Sequence, residues 1–116
     1  MEKVRTLVTA DQCKAQIQTV LSKFNNYSEV DNDRRFREVV GLKMRQRRLD
    51  LGLTQTKVSR MLNVTFQQIQ KYEKGFNSLS LINLVKFCEL TNTDQLWFTE
   101  DFKERKLTNG RNNDNS

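Results

Sequence analysis

The sequence predicts an all-α fold, and three observations carry that expectation. Proline is absent and glycine occurs only four times in 116 residues, which favours helices with short connections over a strand-and-turn architecture. Apolar residues recur along much of the chain at the three-to-four-residue spacing of helix faces. Threonine precedes several of these periodic stretches, at Thr9, Thr54 and Thr65, as helix N-caps do. A chain of this length holds one small domain with a modest core plus extensions, and no separate catalytic domain.

The first helix is expected to follow Thr9, which makes a capping-box pair with Gln12, and Cys13, Ile17, Val20, Leu21 and Phe24 then share one face. That face needs a partner, either the chain's own domain or a second subunit. Residues 1–32 are read as this helical extension, with NNYSEVDND as its connection. Asp33 is the expected cap of a second helix in which Phe36, Val40 and Met44 repeat at i, i+4 and i+8, closing at Leu51 and Leu53 around Gly52. The next helix is short. Thr54 caps it, Leu53 and Val58 form a hydrophobic staple, Leu62 repeats the face, and Asn63 suits a tight turn because asparagine tolerates φ > 0. The device then repeats, with Thr65 as cap, Val64 and Ile69 as staple, Gln68 three residues after the threonine as in a capping box, and Gly75 as the stop. A further apolar stretch, LSLINLVKFCEL, follows. Residues 100–116 include the polar, aromatic-free KERKLTNGRNNDNS and read as a flexible, disordered tail.

The formal charge of +6 is unevenly placed. Residues 34–75 hold eleven Lys/Arg against three Asp/Glu, while the segments on either side are each net −1. Such a block is the electrostatic footprint expected of a polyanion-binding surface. Histidine is absent, and Cys13 and Cys88 stand far apart with no metal-ligand spacing. No nucleophile and base can be assembled, so no enzyme, metal, cofactor or small-molecule substrate is expected. No apolar run spans a bilayer and MEKVRTLVTADQ lacks a secretory stretch, so the expected location is cytoplasmic, without a membrane partner.

Two short stapled helices joined by a three-residue turn make a helix-turn-helix. With the segments GLKMRQRRLDLGLTQ, FQQIQKYEKG and LSLINLVKFCEL in place, the chain from about Val40 to Phe98 resembles the Cro/repressor-type family. This family is also described as xenobiotic-response-element type or lambda-repressor-like. Ser59 and Asn63 stand where it usually has a small residue and glycine, and after Leu84 the match loosens, with threonines around the usually apolar positions at Thr91 and Thr93. The resemblance implies a five-helix domain over residues 33–99, preceded by the extra N-terminal helix. The domain's third helix would enter the major groove of DNA while its second crosses the backbone.

The candidate site residues follow from that frame. With Ile69 inward, a rotation of about 100° per residue puts Gln67, Gln70, Lys71 and Lys74 on the opposite side. Glutamine can pair with adenine N6 and N7, and lysine can donate to guanine or to a phosphate. Gln67, Gln70 and Lys71 are thus base-reading candidates, with Lys74 assigned to phosphate. Phe66 is weighed equally between touching a thymine methyl and packing inward. Gln68 is expected to complete the Thr65 capping box or to meet Gln55. Gln55, at a helix N-terminus, is a phosphate candidate, as are Arg45, Lys57, Arg60, Asn77 and Ser78, although Arg60 could equally be solvated surface. The resemblance further implies an ion pair between Arg48 and Glu73. Leu96, Trp97 and Phe98 form an apolar cluster expected at a dimer interface, with the N-terminal helix as the competing surface. The leading reading is a sequence-specific DNA-binding transcriptional regulator, repressor-like and of bacterial, phage or mobile-element type, bound as a homodimer to an inverted repeat of double-stranded DNA. The alternative is an interaction adaptor or antitoxin with the same fold, which the concentrated positive charge disfavours. RNA binding is disfavoured because the basic face lacks stacking aromatics apart from Phe66.

Overall fold

The computed structural model describes residues 9–24 and 30–102. The elements are α1 (Ala10–Ser22), α2 (Val30–Asp50), α3 (Gln55–Leu62), α4 (Phe66–Lys74), α5 (Leu81–Leu90) and a 3-10 turn at Gln95–Phe98. The described residues contain no strand.

α1 starts at a complete capping box, with Gln12 N donating to Thr9 Oγ1 at 3.1 Å and Thr9 N donating to Gln12 Oε1 at 2.9 Å. Its face of Cys13, Ile17 and Leu21, continued by Phe24, is buried. The helix packs along α2 of the same chain, which answers the question of its partner. α2 begins at Val30 rather than after an Asp33 cap, so a domain boundary between 32 and 33 would cut the helix. Tertiary contacts carry the chain past the local signal. Asn32 is buried, and Arg35 donates to both Asn32 Oδ1 and the Lys23 carbonyl at the end of α1.

Two apolar cores result. Met44, Val58, Leu62, Ile69, Tyr72, Phe87, Cys88 and Phe98 form the larger, among α2 to α5 and the 3-10 turn. Ile17, Leu21, Phe24, Val39 and Phe102 form a second, between α1 and α2. Phe98 is only 1% exposed, so it is a core residue and not part of an apolar surface. Sequence alone could not rank it below Leu96 and Trp97, because three consecutive bulky residues carry no periodicity. Phe102 corrects the expected tail boundary. Residues 100–102 are helical, and the Phe102 ring lies 5.0 Å from that of Phe24 and 4.7 Å from that of Phe36. The rest of the expected tail, 103–116, lies outside the described residues, as do 1–8.

The crossing of α2 and α4 depends on Gly41. A Cβ there would stand 2.1 Å from the Tyr72 carbonyl oxygen and 2.9 Å from that of Glu73. The two backbones approach too closely for any other residue.

Candidate nucleic-acid interface

The presentation of α4 begins with local caps. Thr54 Oγ1 accepts from Lys57 N and Thr65 Oγ1 from Gln68 N, both at 3.0 Å. Between the helices Asn63 takes the left-handed conformation (φ 56°, ψ 47°), and Gly75 ends α4 at φ 76°. The staples hold as well: Val58 and Ile69 are fully buried, with Leu53 and Val64 packed against the same core. Ser59, buried with its hydroxyl donating to the Thr56 carbonyl, leaves room for the two helices to meet.

A buried charge cluster fixes the orientation of α4. Arg48 Nε and Nη2 donate to Glu73 Oε2 and Oε1 at 2.7 and 3.0 Å, a two-pronged bridge whose side chains are 8% and 2% exposed. Gln55 Nε2 donates to the same carboxylate at 3.0 Å, and Arg48 Nη1 donates to the Leu53 carbonyl. The end of α2, the start of α3 and the end of α4 are thereby tied to one acid. Gln55 accordingly meets Glu73 rather than Gln68, and its amide is partly committed. Gln68 does not close the capping box with its side chain; its Oε1 instead accepts from Asn77 Nδ2 at 3.4 Å, tethering the loop after α4. Arg45 Nε lies 3.9 Å from Glu73 Oε1, beyond hydrogen-bond reach, and is buried without an acceptor among the described residues. With Glu73 already holding three donors, the Arg45 guanidinium keeps its hydrogen-bonding capacity at a partly exposed surface.

The candidate readers divide into two groups. Gln67, Lys71 and Lys74 are exposed on α4, Lys57 and Arg60 on α3, and Asn77 and Ser78 in the loop after α4. Phe66, 39% exposed, and the half-buried Gln70 instead line a cleft with Lys74, Arg45, Gln55 and Thr54. The even choice for Phe66 is thus resolved towards the surface. The surface is rich in amides and cations, and Glu73, which lines the cleft, is neutralised from within by Arg48.

Three basic residues of α2 hold the domain together rather than adding to this surface. Arg37 donates to the Gly75 carbonyl at 3.2 Å. Lys43 is buried, donating to the Trp97 carbonyl at 2.6 Å, pairing with Asp101 at 2.7 Å and lying 4.7 Å from the Trp97 ring centre. Arg47 donates to Thr93 Oγ1 and to the Thr91 carbonyl, so the threonines that interrupt the apolar pattern are polar latches. Sequence reasoning overlooked all three, although Lys43 and Arg47 share the stripe of Val40 and Met44.

Burial raises the Cys13 thiol above its ordinary value, with Arg45 opposing, and burial likewise raises Cys88. Both are free thiols inside the fold. Among the described residues no acidic, cysteine or histidine cluster could hold a metal, and no helix is long and apolar enough to cross a membrane.

Comparison with known proteins points the same way as this geometry. A helix-turn-helix family model matches residues 44–98. An uncharacterised HTH-type transcriptional regulator of Sinorhizobium medicae (strain WSM419) is 44% identical over 62 residues, which is 53% of this chain and 45% of that protein. An uncharacterised transcriptional regulator in the ATPase CF(0) region of Rhodospirillum rubrum is 51% identical over 64 residues, covering 55% of this chain and 59% of its own length. An uncharacterised HTH-type transcriptional regulator of Rickettsia conorii (strain ATCC VR-613 / Malish 7) is 35% identical over 65 residues, 56% of this chain and 52% of that protein. The chain spans about half the length of the curated relatives it matches.

Proposed function

We propose that this chain binds double-stranded DNA and regulates transcription as a repressor, a reading supported by the helix-turn-helix family model that matches residues 44–98 and by relatives named as transcriptional regulators. α4 lies in the major groove, where Gln67 and Lys71 read base edges and Phe66 and Gln70 contact bases from the cleft side. The N-terminus of α3 with Gln55, and the side chains of Arg45, Lys57, Arg60, Lys74, Asn77 and Ser78, meet phosphates. The observation that carries this reading is an exposed amide-and-cation face on a helix whose orientation is fixed by the buried Arg48–Glu73 bridge.

The regulator binds an inverted repeat as a homodimer, with half-sites about 34 Å apart along the duplex. Leu96, 47% exposed, and the half-buried Trp97 provide the contact, without Phe98.

Selection of bound sites from random DNA tests the reading, with a palindromic motif expected. On that site Gln67→Ala should lower affinity by about 1–3 kcal/mol at one position of each half-site while leaving nonspecific binding nearly unchanged. Arg45→Ala should weaken all sequences alike and flatten the salt dependence by about one unit per contact. No enrichment of any sequence above background would sink sequence-specific binding. A wild-type monomer in sedimentation, both free and on DNA, would sink the dimer; loss of a wild-type dimer in Trp97→Ala would support the interface.

A further inference from the structure

Where α1 lies along α2, it leaves a second groove on the side facing the end of α4. Val20 of α1, Leu42 of α2 and Phe76 after α4 are its apolar residues. Phe76 is 68% exposed, a large ring held open to solvent at the mouth of a groove. Lys23, Arg45 and Lys74 supply three cations. Among the described residues the ammonium groups of Lys23 and Lys74 have no hydrogen-bond or ion-pair partner. Two carboxylates also line the groove: Glu73, bridged by Arg48 and 3.9 Å from Arg45, and Glu38, so with Arg48 closing the Glu73 charge the groove keeps an excess of positive charge. The α1 wall lies outside the matched residues 44–98, whereas Arg45, Lys74 and Phe76 lie within them.

We propose that this groove docks an acidic, amphipathic peptide segment of a partner protein. Apolar side chains at helical spacing would cover Val20, Leu42 and Phe76, and flanking carboxylates would meet Lys23, Arg45 and Lys74. Charge complementarity selects this occupant. A DNA backbone could satisfy the cations but offers nothing apolar to an exposed phenyl ring. The terminal segments of this chain have the wrong sign, since residues 103–116 carry four Lys/Arg against two Asp/Glu and residues 1–8 two against one. Arg45 and Lys74 also line the cleft beside Phe66 and Gln70. On the DNA-binding reading, which this consequence rests on, peptide and DNA claim the same two cations, so docking of the partner releases the operator.

The test is selection of displayed random peptides on the full chain, followed by titration of the enriched peptides against wild type, Phe76→Asp and Lys23→Glu. Both positions are exposed and lie outside the proposed base- and phosphate-contacting set, and melting curves verify that each variant folds. The expected result is a net-negative consensus with apolar residues at i, i+3 or i+4, and i+7. Its affinity should fall at least about tenfold in either variant, which is about 1.4 kcal/mol, and the peptide should displace a bound duplex. Enriched peptides that are basic, or that bind both variants as well as wild type, would overturn the proposal. So would failure to enrich any peptide, or self-association of the wild type abolished by Phe76→Asp, which would make the occupant a second copy. A Lys23→Glu variant that loses DNA affinity while keeping peptide affinity would mark the groove as a DNA track and overturn it as well. Peptide binding without displacement of DNA would remove the regulatory step. If the wild type binds no duplex, the DNA reading fails while the peptide titrations still judge the groove.

Discussion

At the scale of single residues, Glu73 is the most constrained side chain of the candidate interface, because one carboxylate satisfies Arg48 twice and Gln55 once. Glu73→Ala leaves a buried guanidinium without its counter-charge, and thermal unfolding should register a loss of about 3–5 kcal/mol, against about 0–1 for an exposed pair. A variant that melts with the wild type would refute the role of the bridge. The resemblance implied Arg48 and Glu73 as partners, but it could not show Gln55 joining them, since that contact depends on how α3 crosses the end of α2. The thiols give a second prediction, in pH. Burial raises Cys13 and Cys88 above the ordinary 9.0, so the folded state favours the neutral thiol and the unfolded chain ionises first. Their contribution to stability is therefore complete below about the unfolded thiol value and is lost as pH rises through the folded values. Denaturant titrations should show the midpoint falling as pH rises above the ordinary thiol value of 9.0, with a smaller fall in Cys13→Ala after allowance for its cavity. Equal slopes in the two proteins would assign the effect to other groups.

Among the elements, helix starts were legible wherever the signal was local. Thr9, Thr54 and Thr65 each bond a backbone amide three residues on, and a three-residue contact is written directly in the sequence. The start of α2 was not legible, because Arg35 and the buried Asn32 anchor it to the end of α1, and no reading of residues near Asp33 contains that contact. The crossing of α2 and α4 is equally hidden, since Gly41 within a helical pattern looks only like a weak point. Its role is steric. Gly41→Ala should gain about 1 kcal/mol of helix propensity, yet a Cβ 2.1 Å from the Tyr72 carbonyl must push the helices apart. Overpacking costs about 1–3 kcal/mol, occasionally more, so the net change should be destabilising and α4 should tilt. The melting temperature should drop, and affinity for the selected operator should drop more than affinity for a scrambled duplex. A stabilised variant with unchanged DNA selectivity would show that the crossing has slack.

For the whole molecule, the question is whether the core beneath α1 and the core of the helix-turn-helix unfold together. Amphipathic spacing made the face of α1 legible, but not its destination, and the lone Phe102 at the edge of a polar segment carried no periodic signal at all. α2 runs through both cores, with Val39 in the smaller and Met44 in the larger, and the C-terminal turn ties them a second time. Phe98 enters the larger core, Phe102 enters the smaller, and between them the buried Lys43 binds both the Trp97 carbonyl and Asp101. Phe102→Ala should cost about 3–5 kcal/mol, the usual range for removing a buried phenylalanine. If the turn couples the cores, that loss belongs to the entire domain. Trp97 stacks edge-on against Phe98 at 5.2 Å between ring centres, so its fluorescence reports on the larger core, whereas far-UV circular dichroism also senses α1. In both wild type and Phe102→Ala the two signals should change at one temperature, with the midpoint lowered in the variant. A dichroism transition that precedes an unshifted tryptophan transition would show that α1 and Phe102 form a separately melting unit, leaving the helix-turn-helix to stand without them.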